Sequence, residues 1–308
     1  MGSDLFALSA LARELNDNLQ GARIDKIQQP ESDELRFFVR SKGKNQCLVV
    51  SCNAGAPRIH ITTSKKVSPQ VAPNLCMLLR KYLLSATISD VSIYNYDRIV
   101  RIRFDAKTEM RDEATFYLFV EIMNRYSNIV FTDENLVILD AVKHLPLDVE
   151  RNHVVLRGVP YSPVSQKKIS YLTDCFSVFN DFKGGDLHRF IQDNISGFSG
   201  ATIEELLLRA NINSNVGTFG AIERERLFKT IKDFASVATN TPEIPLCPCI
   251  INDKEVYPIE YRSLENSDKS NVKTLESMSD ATRISATKQG SNLLPQSQNI
   301  FAKRLKKT

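Results

Sequence analysis

The feature of this sequence that most constrains its fold is a series of short apolar or alternating runs separated by turn signals. Four runs come first, interrupted by Pro30, Lys42-Gly43 and Gly55-Ala56-Pro57, and five more extend to Val142. Helical patterns do not alternate with the individual runs, as parallel βαβ units would require. The runs therefore predict antiparallel strands over residues 22–28, 35–40, 47–51, 58–62, 88–94, 99–104, 115–123, 128–132 and 136–142.

Two helices are expected in the same part of the chain. Apolar residues recur at helical spacing over residues 4–19 and predict an amphipathic helix, with Ser3 as a possible N-cap and Gly21 just past its end. A second helix is predicted over residues 71–84, with Pro73 in its first turn. Together these elements predict the α+β class and an N-terminal, mixed antiparallel-sheet domain over residues 1–145.

Beyond this domain the composition changes three times. Residues 146–170 are Pro-rich and extended, and they predict either a linker or an arm that wraps the first domain. Helical patterns over 186–195, 202–210 and 222–237, followed by short strands over 248–251 and 255–261, predict a small helical domain over residues 171–262. Residues 263–308 have few apolar side chains, so we expect them to be disordered in isolation.

Several classes of function lack the residues they need. The sequence has no Gly-rich phosphate loop, no Ser nucleophile elbow and no His-Glu-x-x-His motif. Cys247 and Cys249 have no second pair nearby to complete four zinc ligands. No run approaches the roughly 18 apolar residues of a membrane span, and the N-terminus does not have the layout of a secretory signal. We therefore expect a cytoplasmic protein that is not an enzyme and binds no cofactor, metal or membrane.

Positive charge is concentrated in one part of the chain. The net charge is only +4, but residues 36–103 contain 12 Lys and Arg against two Asp. Residues 104–145 reverse this balance, with eight acidic and four basic residues. Such segregation indicates contact with a phosphate backbone, although solvated strand faces would give the same pattern.

The adjacent pair Asp97 and Arg98 lies at a predicted hairpin turn inside the basic region. An acid beside a guanidinium fixes its direction, and the guanidinium donates paired hydrogen bonds to phosphate or to a guanine edge. Tyr94 and Tyr96 from the same turn are candidates to stack on bases. The alternative is a surface turn with a weak ion pair.

A second group of polar and aromatic residues lies where one predicted strand ends and the next begins. Residues 121–128, with the sequence EIMNRYSN, place a carboxylate, a guanidinium, a ring and amides together, which is typical of binding sites. Lys143 and His144 end the following strand and extend the same surface. The alternative is that the apolar members belong to the core and that the acid and the base pair with each other.

These motifs, taken together and in this order, resemble the NFACT family. The resemblance rests on residues 76–83 (CMLLRKYL), Asp97 and Arg98, residues 121–128, and residues 143–145 (KHL), and it extends over about 4–262. It implies an NFACT N-terminal domain followed by a helical domain of the helix, two-turn, helix kind. The first domain is also expected to be similar to the N-domain of formamidopyrimidine-DNA glycosylases. Glycosylase activity is not expected, because the N-terminal Pro-Glu pair and the four-Cys zinc finger of those enzymes are missing.

The resemblance implies a role in ribosome-associated quality control. Such proteins bind large ribosomal subunits that are obstructed by a peptidyl-tRNA, contact rRNA, and recruit tRNA, alanine tRNA in bacteria, for mRNA-independent tailing of the stalled chain. The factor positions tRNA, and the ribosome performs peptidyl transfer. The expected RNA-binding residues are, by matching motif, Asp97, Arg98, Glu121, Ile122 and Met123, and, by local chemistry, Arg125, Asn128, Lys143 and His144.

Two expectations concern the remainder of the family pattern. Relatives have been called fibronectin-binding proteins, so a surface adhesin for fibronectin is the alternative function, against which the missing export signal argues. Family members continue into a long coiled coil and a second RNA-binding domain, whereas residues 264–308 contain no sustained heptads. The chain is therefore expected to be a truncated form or a short relative.

Overall fold

The main element of the fold is a nine-stranded antiparallel sheet. The computed structural model describes residues 4–108, 110–146, 153–164, 167–239, 241–265 and 271–289. The strands are β1 (Arg23–Glu31), β2 (Glu34–Ser41), β3 (Lys44–Ser51), β4 (Arg58–Thr62), β5 (Thr87–Ile93), β6 (Ile99–Lys107), β7 (Glu113–Glu121), β8 (Asn128–Thr132) and β9 (Ile138–Ala141). They lie in the order β4-β3-β2-β1-β5-β6-β7-β8-β9. All nine predicted strands are present, and the α+β class with an antiparallel sheet is confirmed.

The first helix, α1 (Leu5–Leu19), lies at the centre of the molecule. Its N-cap is Asp4, whose Oδ1 accepts a hydrogen bond from the Ala7 amide at 3.0 Å, whereas the predicted cap Ser3 lies outside the described residues. Residues 5–12 are buried on every side, so this half is not amphipathic as predicted. The reason is that α1 packs against the sheet on one side and against the helical part of the chain on the other, where Phe6 stacks on Phe234 with 4.7 Å between ring centroids.

The second helix, α2 (Asn74–Leu83), packs against β1. Pro73 is its N-cap in an extended conformation and does not lie in the first turn, as the sequence predicts. An extended cap suits proline, which has no amide hydrogen to donate within the helix. The Arg80 Nε donates to the Ile27 carbonyl at 2.9 Å and so fixes the helix on the strand.

The segment after β9 returns to cover the outer face of the sheet. Leu145 pairs with Val155 and Val137 pairs with Pro160 as isolated bridges. Tyr161 is buried in a small second core with residues of β6, β7, β8 and β9. The sequence leaves open whether this segment is a linker or a wrapping arm. Its described residues 153–164 form a wrapping arm, which we call the arm.

The helical part consists mainly of α3 (Leu187–Asn194), α4 (Gly200–Ala210) and α5 (Ala221–Ala235). These are the three predicted helices: α3 and α5 are shorter than their sequence patterns, whereas α4 begins two residues earlier than predicted. The predicted closing strands are Cys249–Ile251 and Glu255–Tyr257, and a third strand, Val272–Thr274, pairs with the first of them.

The structure differs from the sequence prediction after residue 262. Residues 271–289, for which we expect disorder in isolation, form the strand Val272–Thr274 and a helical segment over 278–289. Met278 and Ala281 are both buried in the main core, and Met278 lies beside Leu8 and Leu11 of α1. Both carboxylate oxygens of Glu14 accept backbone amides at the start of this segment, from Met278 at 2.6 Å and from Ser279 at 3.0 Å.

The sheet is strongly rolled. The Lys143 ammonium donates to the Cys52 carbonyl at 3.3 Å, just after β3, and to the Ser127 carbonyl at 2.7 Å, just before β8. These strands are six positions apart in the sheet order, which in a flat sheet would separate them by about 29 Å at roughly 4.8 Å per strand. The two halves of the sheet therefore approach each other at this end.

Candidate nucleic-acid interface

The turn between β5 and β6 has an unusual backbone. Asn95 and Tyr96 have φ of 53° and 52°, and the Asp97 amide donates to the Tyr94 carbonyl at 3.2 Å, which defines a type I′ turn. Tyr94 is half-buried and packs on Phe119 with 4.8 Å between ring centroids, so part of its ring is used within the protein. Tyr96, in contrast, is 55% exposed.

Asp97 fixes the backbone of this turn. Its Oδ1 accepts a hydrogen bond from the Arg98 amide at 2.6 Å, and its side chain is buried. The expected contact, in which the carboxylate directs the guanidinium itself, is replaced by one to the main chain. Asp97 therefore sets the position from which the Arg98 side chain extends.

Arg98 lines a cleft between the sheet and the helical part, with a volume of about 640 Å³. We call it the Arg98 cleft. The turns of the sheet contribute Asp97, Arg98, Met123 and Asn124, and the segment that leads into the helical part contributes Lys167 and Lys168. Three cationic side chains thus face one opening from two directions, which is an arrangement suited to a phosphate backbone.

The N-terminus of α4 also lies at this cleft, but a carboxylate already occupies it. Asp4 Oδ2 accepts hydrogen bonds from the Ser199 amide at 2.8 Å and from the Thr202 hydroxyl. Burial raises the pKa of the Asp4 carboxyl, while these hydrogen bonds oppose the shift. The N-terminus of α4 is therefore already neutralised by Asp4, and the positive charge at the cleft comes from the three cationic side chains.

Glu121 is buried beneath the arm and does not face the cleft. Its Oε1 accepts the Tyr161 hydroxyl at 2.9 Å and lies 3.6 Å from His153 Nε2. Hydrogen bonding to the Glu121 carboxylate raises the pKa of His153, against the effect of burial. The predicted partner Arg125 instead lies over the Tyr126 ring, with 4.6 Å to its centroid. Glu121 is therefore a residue that holds the arm.

Ile122 and Met123 divide between core and cleft. The Ile122 amide donates to the Arg98 carbonyl at 2.9 Å, but its side chain is buried in the main core. Met123 is half-buried and lines the Arg98 cleft. The main chain of this segment therefore supports the Arg98 turn, and one side chain of the pair reaches the cleft.

Asn128, Lys143 and His144 use their polar groups within the protein. The fully buried Asn128 amide exchanges two hydrogen bonds, each of 2.9 Å, with the backbone of Lys143. His144 Nε2 lies 2.9 Å from Asp140 Oδ1, which also receives Arg157. These residues do not join the Arg98 cleft, whose described lining does not include them.

Part of the segregated positive charge is also internal. Arg36, Arg58 and Lys66 converge on the buried carboxylate of Glu34 at 2.8, 2.6 and 3.3 Å. Burial opposes ionisation of Glu34, yet these cations hold its pKa below the ordinary value. The basic stretch of the sequence is therefore partly an ion network that neutralises the buried carboxylate of Glu34.

Sequence reasoning missed Lys167 and Lys168, and it included Asn124 only as a member of the 121–128 motif and not as an expected RNA-binding residue. The dipeptide Lys167-Lys168 is a visible signal, but nothing in the sequence shows that the folded chain returns it to the Asp97 turn. Among the described residues there is no cluster of His, Cys, Asp or Glu that would hold a metal ion. No helix in the described ranges is long and apolar enough to cross a membrane.

Comparison with known proteins gives consistent matches. The family described as NFACT N-terminal and middle domains matches residues 4–307. The Rqc2 homolog RqcH of Bacillus subtilis is 38% identical over 222 residues, which are 70% of this chain and 39% of that protein. Ribosome quality control complex subunit 2 of Saccharomyces cerevisiae is 27% identical over 143 residues, 46% of this chain and 13% of that protein. The chain therefore matches well under half of the length of either relative.

A solved structure shares the fold over nearly the whole chain. The N-terminal part of the fibronectin/fibrinogen-binding protein from Streptococcus suis superposes with a TM-score of 0.75 and 26% identity, covering 90% of this chain and 96% of that one. The fibrinogen-binding protein from Staphylococcus aureus gives a TM-score of 0.72 at 22% identity, covering 91% of this chain and 97% of that one.

Proposed function

Because this chain belongs to the NFACT family, we propose that it is a ribosome-associated quality-control factor of the cytoplasm. It binds large ribosomal subunits that carry an obstructing peptidyl-tRNA, contacts rRNA there, and recruits tRNA for C-terminal tailing of the stalled chain without mRNA. Alanine tRNA is the expected species. The protein is not an enzyme in this proposal: it positions tRNA, and the ribosome forms the peptide bond.

The observation that carries this proposal is the convergence of Arg98, Lys167 and Lys168 on one cleft. The cleft lies between two parts of the chain, so its walls contact a ligand from two sides. The Asp97 carboxylate and the Ile122 amide fix the backbone on both sides of Arg98. A guanidinium on such a fixed base donates paired hydrogen bonds to a phosphate with little loss of conformational entropy.

The proposal extends to details of the fold. We propose that the rolled sheet is similar to the N-domain of formamidopyrimidine-DNA glycosylases, and that α3 and α4 form the helix, two-turn, helix unit. The short connection over residues 195–199 between these helices supports the second assignment.

The first test is the binding of purified tRNA to the chain at increasing salt. We expect affinity to fall steeply with salt, because each neutralised phosphate releases counterions. Replacing Arg98 with Ala should weaken binding and reduce the slope of log K against log salt by about 1. Arg103→Ala is the matched control, since Arg103 is an exposed arginine of β6 paired with Asp105 away from the cleft. Binding of the parent chain that does not change with salt would contradict the proposal.

A second candidate function is suggested by the names of the solved relatives. The Streptococcus suis protein is called a fibronectin/fibrinogen-binding protein. If this chain has that activity, immobilised fibronectin should capture it with an affinity that Arg98→Ala does not change. Capture of tRNA but not of fibronectin would favour the RNA-binding function.

A further inference from the structure

Tyr96 lies in the same turn as Arg98 but on its other side. Its φ of 52° places a bulky side chain in the left-handed region, where type I′ turns strongly favour Gly after Asn. Tyr96 is 55% exposed, so more than half of its surface is open to a ligand. A residue that is unfavourable for its backbone and is not part of the core indicates a functional use of its side chain.

Tyr96 lines a second cleft of about 660 Å³, between α1, β5 and the end of α5, which we call the Tyr96 cleft. Arg13 lies on its wall, held by a hydrogen bond of 2.9 Å from Nη1 to the Thr239 carbonyl. The Arg13 Nε is buried and has no hydrogen-bond partner among the described residues. Lys232 from α5 adds a second cation, and Asp90, the acid of this cleft, is paired with Arg101 at 3.2 Å.

The two clefts share one turn. Tyr96 lines the Tyr96 cleft, whereas Asp97 and Arg98, the next two residues, line the Arg98 cleft. Each cleft is also lined by cationic side chains from other parts of the chain: Arg13 and Lys232 in the Tyr96 cleft, and Lys167 and Lys168 in the Arg98 cleft. A strand that contacts Arg98 therefore meets an exposed aromatic ring as it passes over the turn.

We propose that Tyr96 is a stacking platform for an unpaired base of RNA, and that Arg13 and Lys232 contact the phosphates beside that base. Aromatic stacking of splayed bases is the usual way in which proteins hold single-stranded RNA. This inference rests on the proposed function and adds to it the site and the single-stranded character of the bound segment.

The test compares Tyr96→Gly and Tyr96→Phe with the parent chain, using purified tRNA as the probe. Gly suits the turn better than Tyr, so the melting temperature of Tyr96→Gly should not fall. Its affinity should nevertheless weaken about tenfold, which equals ~1.4 kcal/mol, because one base loses its stacking partner. Tyr96→Phe keeps the ring and should bind as the parent does.

The outcomes separate this inference from the function on which it rests. Weaker binding by Tyr96→Gly with full binding by Tyr96→Phe supports the stacking site. Full binding by Tyr96→Gly, together with lost binding by Arg98→Ala, overturns the stacking site and leaves the proposed function in place. A parent chain that binds no tRNA overturns both.

Discussion

At the level of single residues, burial distinguishes the predicted site residues that line the cleft from those that do not, whereas residue type does so less clearly. Arg98 and Met123 line the cleft, and Arg125 is exposed but is not among the described lining residues. Glu121 and Asn128 have the polar character of binding residues but are 3% and 0% exposed. A polar residue at a strand end can therefore either bind a ligand or stabilise the protein. In this protein the buried polar residues stabilise the turns, and the turns carry the exposed residues.

Glu121 provides a pH-dependent test of this distinction. Replacing Glu121 with Gln keeps an acceptor for the Tyr161 hydroxyl but removes the charge beside His153. Because the pKa of His153 is raised above 6.5, the stabilisation from this pair is fully present below that pH and is lost as pH rises through the raised value. We expect Glu121→Gln to lower the free energy of unfolding by about 1–3 kcal/mol at about pH 6, and by less at about pH 8.

The measurement is urea unfolding of the parent and the variant at both pH values. Glu134→Gln, in the exposed turn between β8 and β9, serves as control and should stay within roughly 0.5 kcal/mol of the parent. An effect of Glu121→Gln that does not depend on pH would show that His153 is not its charged partner.

The sequence shows which chemical groups the predicted site residues carry, but it does not show which of these residues are buried. Alternation along β7 places Glu121 and Phe119 on the same face of the sheet. Whether that face meets solvent depends on Tyr161 and His153, which lie more than 30 positions later in the chain. No local pattern records that the arm folds back over this face, so the carboxylate looks like a surface group in the sequence.

At the level of elements, the strands and helices were predictable because each carries its own signal. The turns at Lys42-Gly43 and at Asn95 mark hairpins, and the strand positions between them follow from alternation. The ordered segment after residue 270 had no such signal. It is held through contacts with α1, which are not visible in its own composition.

Glu14 tests how the helical segment over 278–289 is held. Its carboxylate caps the start of that segment from α1, so Glu14→Ala should remove two acceptors and weaken docking by about 1 kcal/mol. We expect hydrogen exchange of the amides in 278–289 to become about fivefold faster, while the amides of the sheet keep their rates. Asp17→Ala, an exposed acid on the same helix, is the control and should change neither set.

At the level of the whole molecule, the clefts exist only because separate parts of the chain meet. Lys167, Lys168 and Lys232 reach the β5–β6 turn through the packing of the helical part on α1. Nothing in the local sequence around Asp97 predicts these neighbours. The charge pattern predicted a basic surface, but the ion network of Glu34 takes up a portion of that charge internally.

Lys143 tests whether a predicted RNA-binding residue contacts phosphate or instead holds the two halves of the sheet together. Because its ammonium joins the ends of β3 and β8, Lys143→Met should lower the free energy of unfolding by about 1–2 kcal/mol, through two lost hydrogen bonds. The salt slope of tRNA binding should stay as in the parent, in contrast to Arg98→Ala. A reduced slope with unchanged stability would instead make Lys143 a phosphate contact.

The central position of α1 has a consequence for the folding of the chain during its synthesis. The partner of Glu14 lies 264 residues further along the chain, and Phe6 stacks on a ring that lies beyond residue 230. At roughly 5–20 residues per second, a ribosome needs about 13–50 s to complete that interval. During this time the packing on one side of the first helix stays incomplete, although Tyr171 and Phe198, which also contact Phe6, are made earlier. The chain can therefore complete the packing around its first helix only late in its own synthesis.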